Sequence, residues 1–109
     1  MKREENIENI FSMMDTISYW CDTVETVDKD KKKVVYKTGI REENWLACLH
    51  DGGFLKFYDA ESDDVWYMDL KSLNEAITKR MKVHNAEDFD GCDTDVIIQT
   101  AIFGKLVFG

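Results

Sequence analysis

The sequence predicts an α+β fold: a small antiparallel sheet of one or two hairpins, with three helices packed mainly on one face. Three observations predict it. Apolar residues recur at helical spacing between residues 4 and 18, between Asp69 and His84, and over 94–103. Two aromatic-rich runs, 54–59 and 65–70, flank a polar loop of hairpin length. The 109 residues show no linker, internal repeat or proline, so residues 1–109 make a single domain.

Each element has its own signal. Ile7, Ile10, Phe11, Met14 and Ile17 share one face of a helix over 4–18, and Glu4, Glu5 and Glu8 suit the positive end of its dipole. Residues 19–27 turn to β-branched and aromatic side chains alternating with polar ones, which predicts a strand. A polar turn over 28–32 lets residues 33–36 return as a second strand before Gly39 breaks the chain. Residues 42–50 satisfy two periods: Trp45, Leu46 and Leu49 fit a helix, whereas Trp45, Ala47 and Leu49 fit a strand. Gly52-Gly53 ends either one. Phe54, Phe57, Tyr58, Trp66 and Tyr67 supply aromatic cross-strand pairs to the hairpin that follows.

Leu73, Ala76, Ile77 and Met81 then form the stripe of a helix capped by Asp69 or by a Ser72–Glu75 box. It ends near His84-Asn85 after the basic turn Lys79, Arg80, Lys82. Residues 86–95 read as an acidic loop. The last helix, 94–103, buries Ile97, Ile98, Ala101 and Ile102, enters through a Thr94 or Asp93 cap and stops at Gly104. Leu106-Val107-Phe108 is an apolar tail that packs down or forms an edge, and an edge would suit a homodimer.

Composition excludes several classes of function. Fourteen Lys and Arg against 22 Asp and Glu give a net charge of −8. Nucleic-acid binding draws its affinity from cations on phosphates, so no direct nucleic-acid partner is expected. The Lys31-Lys32-Lys33 run sits among acids and reads as a solvated turn. No apolar run approaches the roughly 18 residues that cross a bilayer, and the N-terminus lacks the apolar core of a signal peptide. No membrane partner and a cytoplasmic location are the expectation. Cys21, Cys48 and Cys92 are odd in number and widely spaced, which predicts reduced thiols.

No set of residues reads as catalytic, so no enzyme activity and no cofactor are expected. Asp88-Phe89-Asp90-Gly91 matches the Asp-x-Asp-Gly of a phosphatase loop, but no buried strand precedes it and only 18 residues follow. Asp88, Asp90, Asp93 and Asp95 are hard donors for calcium, yet Gly91 falls at the wrong position and no Glu closes the loop. Cys21, Cys48, His50, His84 and Cys92 lack paired zinc spacing. The aromatics Tyr19, Trp20, Trp45, Phe57, Tyr58, Trp66 and Tyr67 offer either a core or a stacking pocket for a nucleotide-like ligand.

The carboxylates are patterned more distinctly. Asp59, Glu61, Asp63, Asp64 and Asp69 form one stretch without a base, and Glu87, Asp88, Asp90, Asp93 and Asp95 form another. Brought to the same end of the domain, the loop acids would steer a basic partner. The expected binding residues are Asp59, Glu61, Asp63, Asp64, Glu87, Asp88, Asp90, Asp93 and Asp95.

The segment Asp95-Val-Ile-Ile-Gln-Thr-Ala-Ile-Phe-Gly-Lys-Leu-Val-Phe-Gly109 resembles the end of a family of small proteins encoded by bacteriophages and bacterial mobile elements. Tyr19-Trp20, and Gly52-Gly53 before a hairpin, extend the likeness over most of residues 17–109. The resemblance lends no catalytic residues. It implies context only, a small accessory protein of a mobile element. With the small size, the net charge of −8, the clustered acids and the lack of a catalytic set, the expectation is a protein that binds a basic surface of a host protein, such as a nucleic-acid-handling defence complex inhibited in the anti-CRISPR or DNA-mimic manner. An immunity or antitoxin-type partner is the alternative of the same kind.

Overall fold

The computed structural model describes residues 2–109. Its first helix, α1, spans Arg3–Ser12 and buries Ile7, Ile10 and Phe11 along one stripe. The continuous helix expected to residue 18 is corrected: the backbone leaves the helical region at Met13 (φ −108°, ψ 18°) and re-forms as a 3₁₀ turn over Met14–Ile17. The tighter turn has three residues per turn, so Met14 and Ile17 eclipse and both still reach the core. The Ser12 and Thr16 hydroxyls donate to the carbonyls of Asn9 and Met13, which covers groups left open by the break.

The sheet has three antiparallel strands in the order β1-β2-β3: β1 is Cys21–Val27, β2 Phe54–Asp59 and β3 Val65–Met68. The hairpin falls where its aromatic alternation placed it. Paired rows Val24–Phe57–Trp66 and Leu55–Met68 face the core, while Glu25–Lys56–Tyr67 and Tyr58–Val65 face the other way. A bulge between Cys21 and Thr23 inserts Asp22 opposite the end of β2.

The expected return strand over 33–36 is corrected to a clasp. Val27 bridges Lys33, the Val34 N–H donates to the Thr26 carbonyl at 3.1 Å, and the Thr26 hydroxyl donates back to Val34 at 2.6 Å. Val35 then points out, 70% exposed, and with nothing to cover it the pairing stops.

Residues 42–50 resolve as a helix, α2, over Arg41–His50, because its stripe of Trp45, Cys48 and Leu49 is the buried one. Four α-helices among the described residues therefore replace the expected three. The turn after α2 needs both glycines for different reasons. Gly52 has φ +85°, and a Cβ on Gly53 would lie 2.4 Å from the Val27 carbonyl oxygen.

Helix α3, Leu70–Arg80, is capped by Asp69, whose carboxylate accepts from the Ser72 N–H at 2.8 Å. Helix α4, Gly91–Phe103, starts earlier than expected, and its cap is Asp90 rather than Thr94 or Asp93. Asp90 and Asp93 form a reciprocal capping box: each carboxylate accepts from the other's backbone N–H, at 3.1 and 2.9 Å. Gly104 ends α4 in the left-handed region, as expected. Ile97 and Ile98 of α4 join Leu73 and Ile77 of α3, Ile10 and Phe11 of α1, and Leu55, Phe57 and Met68 of the sheet in one core.

The tail packs down without becoming a strand. The buried Gln99 holds it: Oε1 accepts from the N–H groups of Val107 and Phe108, both at 2.8 Å, and Nε2 donates to the Phe108 carbonyl at 3.1 Å. The Phe108 ring then stacks on Trp20, centroids 5.3 Å apart and planes 3° from parallel.

Candidate functional site: a carboxylate rim around Trp20

Trp20 is 2% exposed and sits among Phe57, Trp66, Phe103 and Phe108, which fixes its indole where β1 begins. Both acidic segments bond to this residue. Its carbonyl accepts from the N–H of Ala60, in the β2–β3 loop, at 3.0 Å. Its indole N–H donates to Asp95, on the first turns of α4, at 2.9 Å. Trp20 thereby links one residue of each carboxylate-rich segment, Ala60 and Asp95.

The segments are built differently. In the β2–β3 loop the Asp59 carboxylate turns back to accept from the N–H groups of Glu61 and Ser62, at 2.7 and 3.1 Å. That turn leaves Glu61, Asp63 and Asp64 exposed. Before α4, Glu87, Asp88 and Asp90 are exposed, with Asp90 occupied as the cap. Asp95 is half-buried and accepts from the Tyr19 hydroxyl, the Trp20 indole and the Gln99 amide, all uncharged donors. The hydrogen bond to Asp95, then burial and the carboxylate's charge, raise the Tyr19 phenol above its ordinary value.

Asp93 lies elsewhere. It is 1% exposed, with Arg80 Nε at 2.7 Å on one oxygen and His84 Nδ1 at 2.8 Å on the other. Burial pushes its carboxyl up, but the Asp90 N–H, Arg80 and His84 outweigh burial and hold it below the ordinary value. Asp93 thus joins α3 to α4 from inside rather than facing a partner. Counting carboxylates along the chain cannot separate it from its solvated neighbours, although the basic last turn of α3 is its counterpart.

Two further acids lie near these segments outside the pattern of the sequence. Asp15 and Asp22 are exposed. Asp15 belongs to the 3₁₀ turn whose Thr16 methyl lies against Gly91, and Asp22 is the bulge residue beside Asp59. The available signal was the absence of any Lys or Arg between Arg3 and Lys29. Asp15 and Asp22 also line a cavity of about 280 Å³ beside β1, which Ser18, Thr23, Arg41 and Trp45 help to close.

The other candidate constellations do not converge. Trp20, Trp45 and Phe57 are core residues, Trp66 faces Phe103 and Phe108, and Tyr58 and Tyr67 lie on the opposite face of the sheet. Cys48 donates to the Val27 carbonyl, Cys21 donates to Thr23, and Cys92 is exposed. His50 faces Glu4 and His84 faces Asp93. Among the described residues no group of three His, Cys, Asp or Glu is arranged to hold a metal ion. No helix among them is long and apolar enough to cross a membrane. No family model, curated protein or solved structure matches the chain.

Proposed function

We propose that this chain is a non-catalytic binding protein whose carboxylate rim docks on the basic, nucleic-acid-handling surface of a protein partner. The observation that supports this reading is the pair of hydrogen bonds that tie Trp20 to Ala60 and to Asp95, one residue from each base-free segment. Glu61, Asp63, Asp64, Asp88 and Asp90 form the docking edge, extended by Asp15 and Asp22. Grouped negative charge speeds encounter with a basic groove and excludes acidic competitors. Such a partner suits the accessory role implied by the resemblance to phage-encoded proteins.

The test is affinity purification from a bacterial lysate with the tagged chain and with an Asp63→Lys/Asp64→Lys/Asp88→Lys variant. The unaltered chain should recover a nucleic-acid enzyme that the variant releases, with affinity at least about tenfold weaker when desolvated pairs are reversed. Recovery of no such enzyme, or equal recovery by a folded variant, overturns the reading.

A further inference from the structure

The face of the sheet turned away from the helices carries a second surface. Phe54, Lys56, Tyr58 and Tyr67 point there, and none belongs to the apolar cluster that the helices cover. Tyr67 and Phe54 meet edge to face at 6.0 Å. Lys31 holds its ammonium 4.6 Å from the Tyr67 ring centre and 5.9 Å from that of Phe54, while Lys56 lies 4.8 Å from the Tyr58 ring. Lys33 reaches the same face through Glu25, at 3.8 Å, and Glu25 also accepts from the Tyr58 hydroxyl.

The loop after β1 is a tight turn, closed by the Lys31 N–H on the Asp28 carbonyl and the Asp28 N–H on the Lys32 carbonyl, and it carries Lys31 over these rings. Lys31 has φ +65°, a left-handed conformation that a lysine adopts only under constraint. The constraint is Asp28, whose side chain accepts from the N–H groups of Asp30 and Lys32, at 2.9 and 3.0 Å. Lys31, Lys33 and Lys56 thus gather at an aromatic patch, with Glu25 and Asp28 beside them already engaged. In a chain of net charge −8 this is local positive charge laid beside rings.

We propose that this bare sheet face binds single-stranded nucleic acid, with bases stacked on Tyr58 and Tyr67 and phosphates held by Lys31, Lys33 and Lys56. Rings on a strand face with cations beside them make a sequence-tolerant platform for unpaired bases, and a duplex keeps its base faces hidden. In the free protein the ammonium groups cover the rings; on binding they move outward to the phosphates and the bases take their places. The expectation of no nucleic-acid partner rested on the mean charge of the chain, and this face departs from that mean. The proposal goes beyond the rim's docking function and needs no protein partner.

The test is fluorescence anisotropy of the purified chain with a labelled oligothymidylate, a duplex of equal length and polyglutamate as competitor. The single strand should bind, and three lysine–phosphate contacts should make binding about 20-fold weaker at about 200 mM than at about 50 mM salt. Tyr67→Leu, which keeps apolar cover but removes the stacking ring, should weaken binding about tenfold. Lys31→Gln/Lys56→Gln, which alters only the face's charge, should flatten the salt slope by more than half. A urea melt shows that each variant is folded. No binding at low salt, equal affinity for the duplex, or competition by polyglutamate with no effect of Tyr67→Leu in a folded protein each overturns the proposal.

Discussion

Replacing Asp93 by Asn tests the link between helices α3 and α4 most directly. The carboxylate accepts from Arg80, His84 and the Asp90 N–H, all at 2.7–2.9 Å, from a site 1% exposed. An amide has one accepting oxygen, so its NH₂ must face a donor wherever it turns. Removing one partner of a fully buried ion pair costs about 3–5 kcal/mol. Here the Arg80 side chain is 27% exposed and can turn to water, which lowers the expectation to about 2 kcal/mol. For a domain of this size that is a fall of about 8 °C in the midpoint of thermal unfolding near pH 7.

The loss should depend on pH in one direction. The folded-state pKa of Asp93 is lowered, so its stabilisation is complete above the unfolded carboxylate value of about 3.9 and disappears as pH falls through the lower folded value. The difference between the unaltered chain and Asp93→Asn should therefore be present above about pH 4 and shrink below it. Urea melts at these pH values read it directly. A variant within about 1 °C of the unaltered chain, or a difference that grows in acid, would refute the reasoning.

Three further outcomes follow from the packing. Gln99→Leu removes three bonds to the tail, at about 1 kcal/mol each, and should expose the chain after Lys105 to trypsin and red-shift the emission of Trp20 as Phe108 leaves it; unchanged cleavage and emission would contradict the clamp. Gly53→Ala places a Cβ 2.4 Å from the Val27 carbonyl oxygen and should cost about 1–3 kcal/mol in chemical denaturation, whereas a neutral effect would mean that the turn yields freely. In the folded protein only the exposed Cys92 should react rapidly with a thiol reagent: burial pushes the Cys21 thiol up to about 11 and raises that of Cys48, and in denaturant all three cysteines should react. Rapid labelling of a second thiol in the native state would contradict this.

The parts of the fold legible in the sequence are those whose signal is local and redundant. The hairpin carries alternation, aromatic pairs and a loop of fitting length together, and Asp69 stands where a cap is needed. Segment 42–50 was not resolvable because ten residues of mixed polarity satisfy both periods, and the choice is made by what Trp45 and Cys48 can bury against. Residues 33–36 have strand-forming side chains but no surface for Val35 to cover. The acidic segments were legible as a pattern and not as individual roles. Asp90 and Asp93 cap a helix, Asp93 turns inward to Arg80, and Asp95 turns to Trp20, and each of those partners is set by tertiary contact. The contact of Ala60 and Asp95 with one residue was not legible, because it depends on Trp20, whose carbonyl meets the first and whose ring meets the second.

Strand β1 starts at the carboxylate rim and runs into the lysine loop, seven residues away. At a strand's rise, about 20 Å separates negative from positive, several times the distance of an ordinary ion pair and about two screening lengths in physiological salt. The lysines and the carboxylates thus give the molecule a local dipole along strand β1. In the field of a charged body it turns before it touches, so collisions arrive pre-oriented, and added electrolyte slows capture by abolishing that torque more than by loosening the contact once made.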